Sequence, residues 1–237
     1  MKYRPIAIVT GASSGIGWVT CLELASNGFQ VKAMVRDLTK IPHLTNILEK
    51  QGLQGNIEFH CLDVTSHESV STFKKQLVER LPSIDVLVNN AGYASAGFSE
   101  EIPLEEYQKQ FDTNLFGLIA VTQAILPKMR KQGSGKIFNM SSISGRVGYP
   151  SLSPYVSSKF AVEGYSESLR LEVKPYGIDV VLIEPGSFQT NIWSSGNHVT
   201  EKSREQSSPY YSYMKNIENV IEKGQHRFGN PEEIAKL

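Results

Sequence analysis

"TGASSGIG", Thr10 to Gly17, decides the fold, and its letters admit two descriptions. Gly11-Ala12-Ser13-Ser14-Gly15 spells the G-x-S-x-G of a hydrolase nucleophile elbow, whereas glycines at 11, 15 and 17 fit a turn that cradles a dinucleotide pyrophosphate. An elbow serine needs an oxyanion loop, usually from an earlier strand, and an acid and a histidine after it. Only one strand-like run, "IAIV" at 6–9, precedes Ser13, so no earlier loop supplies the donor. The cradle has its context: a strand, a glycine turn, then an amphipathic helix from near Gly15 with Ile16, Val19, Leu22 and Leu24 available for packing. The N-terminus of such a helix offers free N–H groups to phosphate.

Outward from that turn, β-branched runs alternate with longer amphipathic stretches: 6–9, 31–35, 57–62, 84–90, 136–142 and 178–185. Parallel strands need crossovers, and right-handed crossovers cover both faces of the sheet. The pattern predicts one doubly wound, Rossmann-type α/β domain of three layers over residues 1–237. Ligands of such sheets sit beyond the carboxyl ends of the strands. Those ends carry TGASSGIG, Arg36-Asp37, Asp63-Val64, Asn89-Asn90-Ala91-Gly92, Ser141-Ser142 and Pro185-Gly186, all expected at one crevice.

Composition narrows the function. Twenty-four basic residues balance twenty-four acidic ones, leaving no field to attract nucleic acid or an anionic membrane. No apolar run approaches the roughly 18 residues of a membrane span, and "MKYRPIAIVT" lacks a secretory h-region. With two cysteines, Cys21 and Cys61, a reducing cytoplasmic setting and a small-molecule partner are expected. The histidines at 43, 60, 67, 198 and 226 share no ligand spacing, so no metal is expected. "GSGK" at 133–136 lacks the first glycine and the hydroxyl of a phosphate loop and reads as a turn before a strand; the sequon at Asn139 has no secretion to serve it.

Chemistry gathers in "SPYVSSKFAVEGYSESLRLEV". Ser153 and Pro154 suit an N-cap and first helical position, which puts Tyr155 in the first turn and Lys159 on the same face. An ammonium, a helix N-terminus and an oxidised nicotinamide would all favour phenolate, by about three units for a tyrosine working near neutrality.

With these residues in view, the chain resembles the short-chain dehydrogenase/reductase superfamily, in its single-domain branch. The matches are T-G-x-x-x-G-I-G (Thr10 to Gly17), Asp63-Val64, N-N-A-G (Asn89 to Gly92), Asn114 in "DTNLFG", Ser142, Tyr155 and Lys159 as Y-x-x-x-K, and Pro185, Gly186 and Thr190 as P-G-x-x-x-T. The resemblance implies that Tyr155 is the general acid or base and Ser142 polarises the substrate oxygen. It gives Lys159 the nicotinamide ribose and Asn114 a water that returns protons. It also implies that Gly11, Ser13, Ser14, Gly15, Ile16 and Gly17 surround the pyrophosphate and adenosine ribose, and Asp63 and Val64 the adenine. Asn90, Ala91 and Gly92 would line the adenosine side, and Pro185, Gly186 and Thr190 the nicotinamide amide. Members using NAD place an acid where this chain has Val35; Arg36 follows, shaped for a 2′-phosphate, so NADP is expected, with NAD the outcome if Asp37 turns to the ribose.

The expected reaction is hydride transfer between a carbonyl and an alcohol, with a hydrophobic substrate of the carbonyl, retinol or hydroxysteroid kind. Ile143, Val147, Tyr149, Phe188, Trp193, Tyr210, Tyr211 and Tyr213 would line the pocket, unless the aromatics serve core or lid packing. The polar run at 194–209 reads as a mobile surface segment. Small residues at 157, 158, 161, 164 and 168 suit helix pairing in a homodimer or homotetramer. The alternative, a nucleotide-binding sensor without turnover, has no need for Asn114, Ser142, Tyr155 and Lys159 together. At the end, Asn230-Pro231-Glu232-Glu233 starts a helix that the chain cuts short, so a truncated natural product, or a partner over the sheet edge, is expected.

Overall fold

The computed structural model describes residues 4–190, 192 and 197–236. The expected strands are present as β1 (Ile6–Thr10), β2 (Gln30–Val35), β3 (Ile57–Cys61), β4 (Val86–Asn89), β6 (Gly135–Met140) and β7 (Ile178–Ile183), with a short β5 (Ala94–Ala96) and β8 (Asn197–Val199). The first six form one sheet of order β3-β2-β1-β4-β6-β7, parallel at every pairing. Helices α1 (Gly15–Ser26), α2 (Ile41–Gln51), α3 (His67–Phe73), α4 (Leu104–Phe111), α5 (Gly117–Gln132), α6 (Ser153–Val173), α7 (Tyr211–Gly224) and α8 (Pro231–Ala235) surround it.

Alternation along β1 shows how both faces are filled. Ala7 and Val9 join Trp18, Cys21, Ala25, Leu44 and Leu48 of α1 and α2, whereas Ile8 points to the opposite core of Phe73, Val121, Ile125, Met129 and Leu169. The packing face of α1 is therefore Trp18, Cys21 and Ala25, with Leu22 and Leu24 only partly buried beside it. Each buried large side chain contributes about 1.5–3 kcal/mol, and this double burial accounts for the near-continuous apolar strands. Gly133, left-handed at φ +69°, ends α5 just before β6, so "GSGK" is a turn.

Two helices contain π turns, which carry one residue more than the α-helical repeat. Lys74–Val78 extends α3, and Asp112–Phe116 joins α4 to α5. Between the sheet and α5–α6, Asn89 Nδ2 donates to Asn139 Oδ1 and Thr122 Oγ1, both at 2.9 Å, and Asn139 Nδ2 donates to Ser166 Oγ at 2.8 Å. The sequon asparagine is thus a buried cross-link.

Two local expectations change. Leu152, not Ser153, occupies the N-cap of α6; Ser153 is its first residue, and its hydroxyl meets Tyr107 Oη at 2.6 Å instead of capping. The polar run after 196 is ordered against the body: β8 pairs in parallel with β5, and the Ser203 and Ser208 hydroxyls each donate at 2.6 Å to the buried Glu101 carboxylate. A buried carboxylate needs donors, and these serines, read from sequence as surface polarity, supply them. Among the described residues no helix is long and apolar enough to cross a membrane.

Candidate active site

The glycine turn closes over the ends of β1 and β4. Gly11 and Gly15 have φ of +63° and +56°, the left-handed region that favours glycine. A Cβ on Gly11 would lie 2.8 Å from Ala91 Cα, and one on Gly17 would overlap Gly11 O and Asn90 Nδ2. Asn90 holds this approach: its Nδ2 donates to Thr10 O at 3.0 Å and Gly11 O at 3.1 Å, while the Asn90 and Ala91 amides donate to Thr10 Oγ1 at 3.0 and 3.1 Å. The Ser14 side chain makes no capping bond, so the first N–H groups of α1, from Gly15, Ile16 and Gly17, are left for an anion arriving at the strand ends beside Ser13. Thr190 comes to the same place, its Cβ 3.4 Å from where a Cβ on Gly15 would be.

At the end of β2 the Val35 side chain is in the core and Arg36 is exposed. Asp37 is engaged locally: its Oδ1 accepts from Thr39 N at 2.9 Å and Thr39 Oγ1 at 2.6 Å, capping a short 3-10 turn. The Thr39 bonds hold its carboxyl below the usual carboxylate range. Asp63 is used in the same way by Thr65, through bonds of 3.0 and 2.7 Å, and Val64 packs over Gly117. These groups fit a dinucleotide: glycine backbone and an uncapped helix for the phosphates, and beyond them an exposed guanidinium with no ion-pair partner among the described residues.

Across the crevice, α6 presents Tyr155 and Lys159, both buried. Ser142, in extended backbone at the end of β6, accepts from Ser144 N at 3.1 Å and donates to Pro185 O at 3.4 Å. Lys159 Nζ donates to Met140 O at 2.6 Å and stands 5.7 Å from the centre of the Tyr155 ring. Burial pushes the Tyr155 phenol above its ordinary value, and the Ser142 hydroxyl hydrogen-bonded to it offsets part of that rise. The lowering expected from sequence is therefore not produced by the protein's own groups: desolvation outweighs the Ser142 hydrogen bond. Burial also pushes Lys159 down to about 8, against a rise from Glu163. The phenol is thus a held proton donor, aligned with a second hydroxyl.

Asn114 is buried where α6 meets the loop after Gly92. Its Oδ1 accepts from Tyr93 N, and its Nδ2 donates to Tyr93 O and Ser158 Oγ, all at 3.1 Å. Both amide hydrogens tie the loop after Gly92 to α6. Of the expected substrate-side residues, Ile143, Val147 and Tyr149 are exposed beside Ser142, whereas Tyr210 stacks on Phe98 at 4.2 Å and Tyr213 lies 5.3 Å from it. Phe188 packs on Gly229, Tyr211 opens α7, and Trp193 lies outside the described residues. Tyr210 therefore packs within the chain, Tyr213 stays about half exposed beside it, and the Ser142 turn presents exposed apolar side chains.

Sequence reasoning missed Thr10 as the organiser of the Asn90 loop, and Arg146, Glu163 and Glu184 behind the catalytic turn. The acid one helical turn after Lys159 was the available signal. Among the described residues no cluster of three or more His, Cys, Asp or Glu could hold a metal.

Comparison with known proteins agrees with this geometry. The family model for short chain dehydrogenase matches residues 5–200. An uncharacterized oxidoreductase of Bacillus subtilis (strain 168), YusZ, is 45% identical over 234 residues, covering 99% of this chain and 83% of that protein. The 3-ketodihydrosphingosine reductase of Bacteroides thetaiotaomicron is 37% identical over 230 residues, covering 97% of this chain and 80% of its own. The crystal structure of a short-chain dehydrogenase from Streptomyces avermitilis superposes with a TM-score of 0.86 at 31% identity, over 100% of this chain and 82% of that one.

Proposed function

Because this chain belongs to the short-chain dehydrogenase/reductase superfamily, whose members act on CH–OH groups and bind NAD(P), we propose that it is an NADP-dependent reductase of a hydrophobic ketone or aldehyde. The observation that carries the cofactor choice is the pair at the end of β2. The Arg36 side chain is exposed and has no hydrogen-bond or ion-pair partner among the described residues, while the neighbouring Asp37 carboxylate accepts from Thr39. When bound, a nicotinamide dinucleotide supplies or accepts the hydride. Every other task falls to the chain. Gly11 to Gly17 and the α1 N-terminus hold the pyrophosphate, Asp63, Val64 and Asn90 to Gly92 border the adenosine, and Pro185, Gly186 and Thr190 face the nicotinamide side.

Tyr155 gives its proton to the substrate oxygen, and Ser142 hydrogen-bonds that oxygen as charge develops. Lys159 binds the ribose and stabilises the tyrosinate left behind, and Asn114 acts as a tether that sets α6 against the Tyr93 loop. The raised phenol favours the reducing direction, since a neutral tyrosine begins as the acid. The ketone in the name of the Bacteroides relative and the apolar Ile143–Tyr149 rim point to the same substrate class. The outward face of α6, with Phe160 and Leu171 exposed beside Gly164, pairs subunits; Phe160→Glu should then yield monomers in sedimentation velocity.

The test is absorbance at the nicotinamide band, with NADPH and NADH compared over long-chain ketones, steroids, retinoids and aldehydes. Tyr155→Phe should lower turnover by about 10²–10⁴-fold while NADPH binding persists. Retained turnover in Tyr155→Phe would sink the assignment.

A further inference from the structure

Behind the catalytic turn is a charged cluster that the reaction as described does not use. Glu163 is 5% exposed, yet neither carboxylate oxygen accepts a hydrogen bond from a described residue. Burying a carboxylate without donors is costly, so opposite charge must hold it. Arg146 supplies one cation, its Nη2 lying 3.1 Å from Glu163 Oε2. Lys159 is the next cation along the same buried face of α6, four residues back, and residues so spaced have Cβ atoms about 5–6 Å apart.

Arg146 is itself anchored. Its Nε and Nη2 donate to the two oxygens of Glu184 at 3.2 and 2.9 Å, and Glu167 lies 3.9 Å from Nη1. Glu184 immediately precedes Pro185, whose carbonyl accepts from Ile143 N at 3.0 Å and from Ser142 Oγ. One guanidinium thus ties the Ser142 turn, the β7 end and α6 together. Gly145 leaves room for this: a Cβ there would lie 2.7 Å from Ser141 Oγ and 2.9 Å from Glu163 Cγ.

We propose that Glu163 is a positioning residue that keeps Lys159 charged and seated beneath Tyr155, with Arg146 as the clamp that fixes Glu163. The inference rests on the assignment of Tyr155 and Lys159 to proton transfer. Lys159 meets the Tyr155 ring and the Met140 carbonyl, with Glu163 one turn further along the same buried face; Glu163 meets Arg146, with Glu167 and Glu184 reached through Arg146, and both Glu163 and the Ser141 hydroxyl border Gly145. Burial alone drives Lys159 towards its neutral form, and Glu163 opposes it.

The test compares an isosteric change with an isoelectric one, using the protein without substrate or nucleotide. Lysine labelled with ¹³C at Cε gives a titration midpoint for Lys159 by NMR, identified by its loss in Lys159→Met. The wild-type midpoint should fall near 8. Glu163→Gln should lower it by about one unit or more, cutting the charged fraction at pH 8 from about a half to about a tenth. Glu163→Asp, which shortens the side chain but keeps the charge, should stay much closer to wild type. A packing role predicts the reverse order, with Gln the milder change. In turnover, the alkaline fall of kcat/KM should move to lower pH in Glu163→Gln and not in Glu163→Asp.

An unchanged Lys159 midpoint in folded Glu163→Gln overturns the proposal. If Glu163→Gln does not fold, Glu163→Met decides, because it fills similar space without the charge and should lower the midpoint by as much; an unchanged midpoint there refutes the proposal. Turnover persisting in Tyr155→Phe would defeat the catalytic assignment alone, since the midpoints are read without catalysis.

Discussion

Replacing Gly17 by alanine would drive a methyl group into the Asn90 amide and the Gly11 carbonyl, and neither can yield cheaply. The carbonyl is backbone in a left-handed turn, and the amide is held by bonds of 3.0 and 3.1 Å to Thr10 O and Gly11 O. Losing both bonds costs about 1 kcal/mol each. Overpacking adds about 1–3 kcal/mol, and the better helix propensity of alanine returns roughly 1 kcal/mol. The net loss is about 2–4 kcal/mol, or a fall in Tm of roughly 5–15 °C for a chain of this size. Urea unfolding followed by circular dichroism measures it, with Gly148→Ala as the control: that glycine has no atom within 4 Å of the added Cβ and should change stability by less than about 0.5 kcal/mol. A Gly17→Ala protein within 1 kcal/mol of wild type, at unchanged m, would refute the claim that this glycine is required by close approach.

Other perturbations address cofactor, pH and the flap after 196. Arg36→Ala should weaken NADPH binding by about 10–100-fold and leave NADH nearly unchanged; equal losses in fluorescence titration would contradict the 2′-phosphate role. Lys159 titrates at 10.5 when free and about 8 in the fold, so its burial cost is fully present below pH 8 and fades as pH rises towards 10.5. Wild type should therefore gain on Lys159→Met by up to roughly 3 kcal/mol across that range, and a flat difference in denaturation would argue against the depressed value. Glu101→Ala would strip the acceptor from Ser203 and Ser208, so trypsin should cut faster at the exposed Lys202 and Arg204; an unaltered digestion rate would mean the segment is held elsewhere.

The sheet was legible because β1 and β4 are buried throughout and the other strands read as short β-branched runs between turn residues. β5 and β8 were not: "ASA" and "NHV" have no strand pattern, and they pair because Glu101 and the serines after 200 pin the second segment to the first. Tyr155, Lys159, Ser142 and the glycines could be placed from spacing, since helical and strand periods fix which residues share a face. Where a committed side chain points could not. Asp37 and Asp63 each accept from the threonine two residues on, and the Asn114 amide bonds Tyr93 and Ser158, none of which the spacing of motifs reveals. The direction of the Tyr155 shift also needed three dimensions, because desolvation depends on neighbours far apart in sequence.

The π turn at Asp112–Phe116 has a consequence for phase. Each residue advances a helix by about 100°, so one surplus residue rotates everything beyond it by about that angle. Before the turn, Gln110 is aimed at the Tyr93–Ser95 loop; after it, Val121, Ile125 and Met129 are aimed at the sheet. A single rod thereby serves two targets that an unbroken α-helix could not face together. Deleting one residue within the turn would lengthen the regular helix and still misdirect one half, so the loop that frames the crevice and the hydrophobic layer beneath it would compete for the same register.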